Sequence, residues 1–135
     1  MTFKLDERLA HDTIYLSELS LCRALLMNDR RYPWLILVPR YNGLKEIHDL
    51  SKEDQDNLMF EITKTTRITE KLFTPDKINV AALGNSVSQL HIHIIARFKE
   101  DDAWPGPVWG KGSSQNYSDD EEKGLADQLV NSLTT

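Results

Sequence analysis

Residues 89–97 read Q-L-H-I-H-I-I-A-R, setting two of the chain's four histidines two positions apart in an apolar run. In an extended strand alternate side chains share a face, so Gln89, His91 and His93 fall on one side and Leu90, Ile92 and Ile94 on the other. The strand rise puts the two histidine Cβ atoms roughly 6–7 Å apart. Both imidazoles can then reach one phosphate-sized group without stacking on each other. Four uses fit such a pair. It can be incidental on a solvated sheet face. It can bind a metal, which needs a third ligand that only His11 or His48 could bring through folding. It can divide acid–base work between one ring that titrates and one that orients. It can attack phosphorus through an imidazole nitrogen, forming a transient phosphoramide bond.

The residues just before the pair favour phosphorus. L-G-N-S-V-S, residues 83–88, offers Gly84 for a tight turn and the polar side chains of Asn85 and Ser86. Ser86 stands five residues before His91. A hairpin-like approach would bring its hydroxyl and nearby backbone N–H groups to the His91 side chain. Such donors are what a pentavalent phosphorus transition state needs around its non-bridging oxygens.

The elements that must position these residues alternate between helix and strand, an α+β pattern. Residues 5–11 suit a short helix capped near Asp6, and residues 13–16 a short strand. The runs at 19–27 and 34–38, joined by a polar turn, suggest an antiparallel hairpin whose second strand ends at Pro39. A long helix spans 51–73: Ser51 caps it, Asp54 follows at capping-box spacing, and Leu58, Ile62, Thr65, Thr69 and Leu72 make one stripe. Residues 77–83 and 89–98 are further strands. A tail loop over 99–117, dense in Pro, Gly and Ser, leads to a closing helix at about 118–133. Trp104 and Trp109 argue against disorder in that loop.

Composition narrows the function classes. At 135 residues, with 40% hydrophobic and 27% charged residues, the chain reads as a single domain, 1–135, with a real core. A net charge of −5 leaves no broad basic patch for duplex nucleic acid. A few local donors still suffice for one phosphate. The single cysteine, Cys22, reads as a buried thiol, and no cysteine cluster suggests zinc. No run of signal-peptide or transmembrane length occurs, so no membrane partner is expected and a cytoplasmic location is the default.

Q-L-H-I-H-I-I resembles the signature of the histidine triad (HIT) superfamily, H-φ-H-φ-H-φ-φ with φ apolar. The flanking elements follow family order: the helix at 51–73, the strand at 77–83, Ser86, the W-P after the motif strand, and W-L-I-L-V-P-R earlier in the chain. The resemblance implies a HIT-like fold, with an antiparallel sheet of about five strands under a long helix, and usually a homodimer. It also implies no catalytic metal and no cofactor. His91 would be the nucleophile toward a nucleotide α-phosphate, and His93 a hydrogen-bond partner of phosphate oxygens. Ser86 would contact the phosphate or leaving group, with Asn85 beside it, and Asn28 or Asp29 would hold the ribose. The implied activity is that of a nucleotide hydrolase or nucleotidyl transferase on a nucleoside phosphoramidate or diadenosine-type polyphosphate. The alternatives are a nucleotide-binding module with little turnover and a metal-binding H-x-H protein.

Two departures from the family pattern stand out. Gln89 occupies the place of the first histidine, where it can hydrogen-bond but not titrate. Trp34 follows Pro33 where the family often carries a histidine, and reads as core or as a residue packed near the ligand. Trp104 and Trp109 read as packing residues, with base stacking as the sharper option. Arg30, Arg31 and Arg40 read as surface residues bracketing a strand or as a polyphosphate attractant, and Arg97 as an ion-pair partner or a second phosphoryl contact.

Overall fold

Each helix starts where a side chain can take up its first free N–H groups. The structure, a computed structural model, describes residues 2–135. Helix α1 (Glu7–Asp12) is capped by Asp6, which accepts from the Arg8 and Leu9 N–H groups. In α2 (Lys52–Phe73) Ser51 accepts from the Asp54 N–H at 3.1 Å. The predicted capping box there is only half formed, because the Asp54 carboxylate takes the Tyr41 hydroxyl instead. Helix α3 (Asp119–Leu133) has the complete box, between Ser118 and Glu121. Helix α2 ends on Thr74, a left-handed residue at φ 46° whose N–H bonds the Glu70 carbonyl, and Pro75 follows.

The α2 stripe buries Leu58, Ile62, Thr65 and Thr69 as its periodicity predicts, while Leu72 stays half-buried. Glu61 joins the buried set unpredicted. Its carboxylate accepts the Leu21 and Cys22 N–H groups at 2.8 and 2.9 Å. Residues 19–21 are thereby held as a turn, so β2 covers Cys22–Met27 rather than the predicted 19–27.

The other strands are β1 (Thr13–Glu18), β3 (Trp34–Pro39), β4 (Lys77–Ala81) and β5 (Ile92–Arg97). All neighbours pair antiparallel, in the order β1-β2-β3-β5-β4, which matches the expected five-stranded sheet. Strand β5 is shorter than the predicted 89–98. Ile92 pairs with Leu37, and continuing the register would bring Leu90 opposite Pro39, which has no N–H for the ladder. The Leu90 N–H goes to the Leu44 carbonyl instead, at 2.9 Å. Gln89 and His91 therefore stand ahead of the strand, not in it.

Both faces of the sheet are covered. Leu26, Leu35, Leu37, Ile92 and Ile94 pack under α2 and α3. Leu25, Trp34, Ile36 and Ile95 pack under Leu9 of α1, Val87 and Val108 of the tail loop. Every residue of β3 and β5 is buried as a result. Each fully buried Leu or Ile contributes about 1.5–3 kcal/mol, which is why β3 reads as an unbroken apolar run and β5 departs from one only at His93 and Arg97. The tail loop is fastened to the second face by Arg97. Its guanidinium donates to both Asp101 carboxylate oxygens, to Asn79 Oδ1 and to the Gly106 carbonyl, all at 2.8–3.0 Å.

Candidate active site

His91 is placed by the turn that precedes β5. It is 5% exposed, so the option of incidental histidines on a solvated face falls away. Its Nδ1–H donates to the Gln89 carbonyl at 2.7 Å. A carbonyl oxygen only accepts, so the proton sits on Nδ1 and a neutral ring keeps its lone pair on Nε2. The ring lines a cleft of about 180 Å³ with Lys45, Glu46, Gly84, Asn85 and Ser88. Gly84 is required there. A Cβ on it would lie 2.5 Å from the Val87 carbonyl oxygen and 3.3 Å from His91 Cε1.

His93 lies deeper, at 3% exposure, and both its ring nitrogens are engaged. The Trp34 indole N–H donates to Nδ1 at 3.0 Å, and Nε2–H donates to the Leu83 carbonyl at a longer 3.3 Å. Burial, reinforced by the neighbouring His91, pushes the His93 pKa down to about 4, against the opposing pull of the Leu83 carbonyl. The two imidazoles meet edge to face, with ring centroids 4.7 Å apart, so they touch without stacking. The cause is again the late start of β5, which frees His91 from the pleat. Trp109 packs on His93 at 4.9 Å and on Trp34 at 5.8 Å.

A second cavity, of about 420 Å³, opens beside the Trp34 and Trp109 rings. Trp34, Trp109, Met27, Asn28, Asp29 and Asn116 are among its lining residues. The expected ribose ligands behave differently in it. Asp29 is 1% exposed, and its carboxylate accepts from the Arg31 guanidinium and from the Arg31 and Gln115 backbone N–H groups. Burial alone would push that carboxyl up, but the Arg31 contact and the backbone bonds outweigh it and hold the pKa below the usual range. Asp29 is thus a brace between the β2–β3 turn and the tail, not an open acceptor. Asn28 is half-buried, gives its Oδ1 to the Tyr117 N–H at 2.9 Å, and keeps its amide donors for the cavity.

Other expected residues lie elsewhere. Ser86 is exposed and does not line the His91 cleft, whereas Asn85 does and Ser88 takes the serine's place. Gln89 also lines the His91 cleft, with its side-chain amide tied to the N-terminal segment. Its Oε1 accepts the Asp6 N–H at 2.8 Å and its Nε2 donates to the Lys4 carbonyl at 3.1 Å. Arg30 pairs with Glu121, Arg40 donates to the Cys22 and Ser20 carbonyls, and Arg97 is committed to Asp101. Ser88, Lys45 and Glu46 were not singled out in the sequence. Only the adjacency of Ser88 to Gln89 hinted at the first. Among the described residues, no group of three or more His, Cys, Asp or Glu is arranged to hold a metal ion. His11 and His48 sit on the surface beside Asp12 and Asp49. No helix among these residues is long and apolar enough to cross a membrane.

A family model described as HIT domain matches residues 8–100. The chain belongs to the HIT family. Among solved structures, this HIT chain is similar to a histidine triad protein from Marinobacter aquaeolei VT8, with 48% identity over 99% of this chain and 98% of that one and a TM-score of 0.96. A histidine triad protein from Sinorhizobium meliloti 1021 has 46% identity over 97% of each chain and a TM-score of 0.94. A third, from Bradyrhizobium japonicum, has 41% identity over 98% and 99% of the two chains and a TM-score of 0.95. No curated protein matches this chain. Membership supports a nucleotide-binding or hydrolase-type function in general terms.

Proposed function

We propose that this HIT protein is a nucleotide hydrolase or nucleotidyl transferase, acting in the cytoplasm on the α-phosphate of a nucleoside phosphoramidate or dinucleoside polyphosphate. The observation that carries the reading is the His91 hydrogen bond, which leaves the Nε2 lone pair on a ring facing the cleft. That lone pair attacks phosphorus, the bond to the leaving group breaks, and its electron pair departs with the amine or phosphate. Water then displaces His91 from the nucleotidyl-histidine, and the two inversions retain configuration at phosphorus. Asn85 and Ser88 line the cleft and supply donors for the phosphoryl oxygens, with Ser86 on the same turn outside the lining. The long bond from His93 Nε2–H to Leu83 can be exchanged for one to a phosphoryl oxygen. Asn28 faces the nucleoside cavity and serves the ribose better than Asp29 does.

Gln89 stands in the first triad position, where it supports the loop and handles no proton. The protein acts as a homodimer, a reading favoured by the unpaired edge of β4 with exposed Val80 and by exposed Met59 and Phe60 on α2. The test is incubation with an adenosine phosphoramidate and with diadenosine tetraphosphate. AMP release and a nucleotidyl adduct by intact mass are expected from the native protein. His91→Ala should lose both while still binding AMP, with turnover down on the order of 10⁴-fold or more. Equal turnover in that variant overturns the assignment, and nucleotide binding with no turnover in the native protein would favour a binding module.

A further inference from the structure

Among the described residues, His93 is the one titratable ring against His91, and Trp34 is the one side chain bonded to His93. We infer that Trp34 is a positioning residue that fixes the proton of His93 on Nε2, so that the ring beside the nucleophile stays uncharged and presents a donor to the phosphoryl group. This rests on the reading of His91 as nucleophile.

The argument starts from the indole. Its N–H can donate and cannot accept, so the His93 nitrogen it meets must offer a lone pair. At 3.0 Å, and with Trp34 6% exposed, a proton on Nδ1 would set two N–H groups against each other in a dry site. The indole cannot easily step aside. Tyr32 and Trp109 pack their rings against it, and its backbone pairs with Ile95 of β5. The proton is therefore on Nε2, where the Leu83 carbonyl accepts it. From β3, His93 meets Trp34 and its pairing partner Ile36; from the segment after β4, the Leu83 carbonyl; and from the tail loop, Trp109. Among the described residues His91 is the only titratable side chain acting on it, so no carboxylate draws a proton onto the ring.

Two chemical consequences follow. When His91 Nε2 bonds to phosphorus its ring gains positive charge, and a second imidazolium at 4.7 Å would oppose that step. A neutral His93 does not. The tautomer also decides what the phosphate meets. With the proton on Nε2, His93 can turn its N–H from the Leu83 carbonyl to a phosphoryl oxygen. With the opposite tautomer, lone pair would face lone pair. The departure at position 34 thus carries a role that neither packing nor base contact describes.

The test is long-range ¹H–¹⁵N correlation NMR of the full chain with ¹⁵N-histidine. The four rings are assigned by single substitutions and followed from pH 5 to 8. In the native protein His93 should show a protonated Nε2, a bare Nδ1 and no titration over that range. Trp34→Phe removes the donor, so His93 should become a tautomer mixture or titrate within the range. The acid limb of kcat against pH should then steepen from one ionisation to two, and kcat at pH 7 should fall roughly 10- to 100-fold. Trp34→His, which returns a ring N–H to the position, should restore the Nε2–H tautomer at pH 8. A native His93 protonated on Nδ1, or one that titrates near pH 6.5, overturns the inference. So does an unchanged His93 spectrum in Trp34→Phe. The native spectrum alone decides the tautomer if that variant does not fold. It also decides it if no nucleotide is turned over, in which case the failure belongs to the hydrolase reading.

Discussion

Replacing Gln89 by alanine tests what the glutamine does in this chain. Its side-chain amide uses both ends on the N-terminal segment, accepting from Asp6 and donating to Lys4. Asp6 in turn caps α1, and α1 lays Leu9, 4% exposed, against the second core. Two such hydrogen bonds have a net value of about 0.5–1.5 kcal/mol each, so the pair should be worth about 1–3 kcal/mol. The site is half-buried, so water will replace part of that loss. Local opening of residues 4–10 should become easier by up to that amount, which is roughly 5- to 150-fold in amide exchange. Hydrogen exchange on Gln89→Ala should show faster exchange at Asp6, Leu9 and Ala10, with smaller changes in α2. The Gln89 carbonyl that holds His91 is backbone and survives the substitution, so turnover should fall far less than in His91→Ala. Asp6 exchange unchanged within about twofold would refute the reasoning, since the side chain would then not be what holds the segment.

Gly84→Ala should lower stability by about 1–3 kcal/mol, because its Cβ would lie 2.5 Å from a backbone oxygen that cannot rotate away. Since the next contact is His91 Cε1, kcat should fall by more than the thermal shift alone explains, measured by melting and turnover on one preparation. Stability should also fall as pH drops from 6.5 toward 4. The unfolded chain takes a proton on His93 near 6.5 while the folded ring resists it down to about 4, so protons favour unfolding in that window. The loss approaches ~1.4 kcal/mol per pH unit from this ring, ~3 kcal/mol at most. Urea midpoints for native protein and His93→Gln should converge as pH falls across it. Asn28→Ala should raise KM for ribonucleotide substrates by roughly tenfold with little change in kcat, as expected for a contact made equally before and during reaction. Steady-state kinetics decides that point.

The elements written in local sequence were legible. Ser51 and the stripe from Leu58 to Thr69 need only one helix to make sense, and the helix is where they put it. The strand runs, one antiparallel hairpin and the α+β class followed from local sequence, while the five-stranded antiparallel sheet was implied by the family resemblance. The overlong strand at 89–98 was legible only up to its partner, because Pro39 ends the ladder from another strand and nothing within 89–91 reveals it. Glu61 carries no local mark of burial within the α2 sequence. Its burial depends on the two backbone N–H groups that it meets some 40 residues earlier. At the site, His91 and Asn85 were readable because they lie within one short run. Lys45 and Ser88 were not, and Trp109 was legible as a packing residue but not as a neighbour of His93, since loop paths bring them in. The choice between Asn28 and Asp29 for the ribose was not legible, because the Arg31 and Gln115 donors on the Asp29 carboxylate arrive through the turn and the tail.

Strands β3 and β5 are covered on both faces, and this leaves them no quiet side. On most antiparallel sheets every second residue faces water and can drift under weak selection. Here each position from 34 to 39 and from 92 to 97 abuts a core, a helix or the histidine pair. A saturation library over these twelve positions should therefore be depleted almost without alternation. The pattern of tolerated residues would show continuous intolerance where a half-exposed strand would show a period of two.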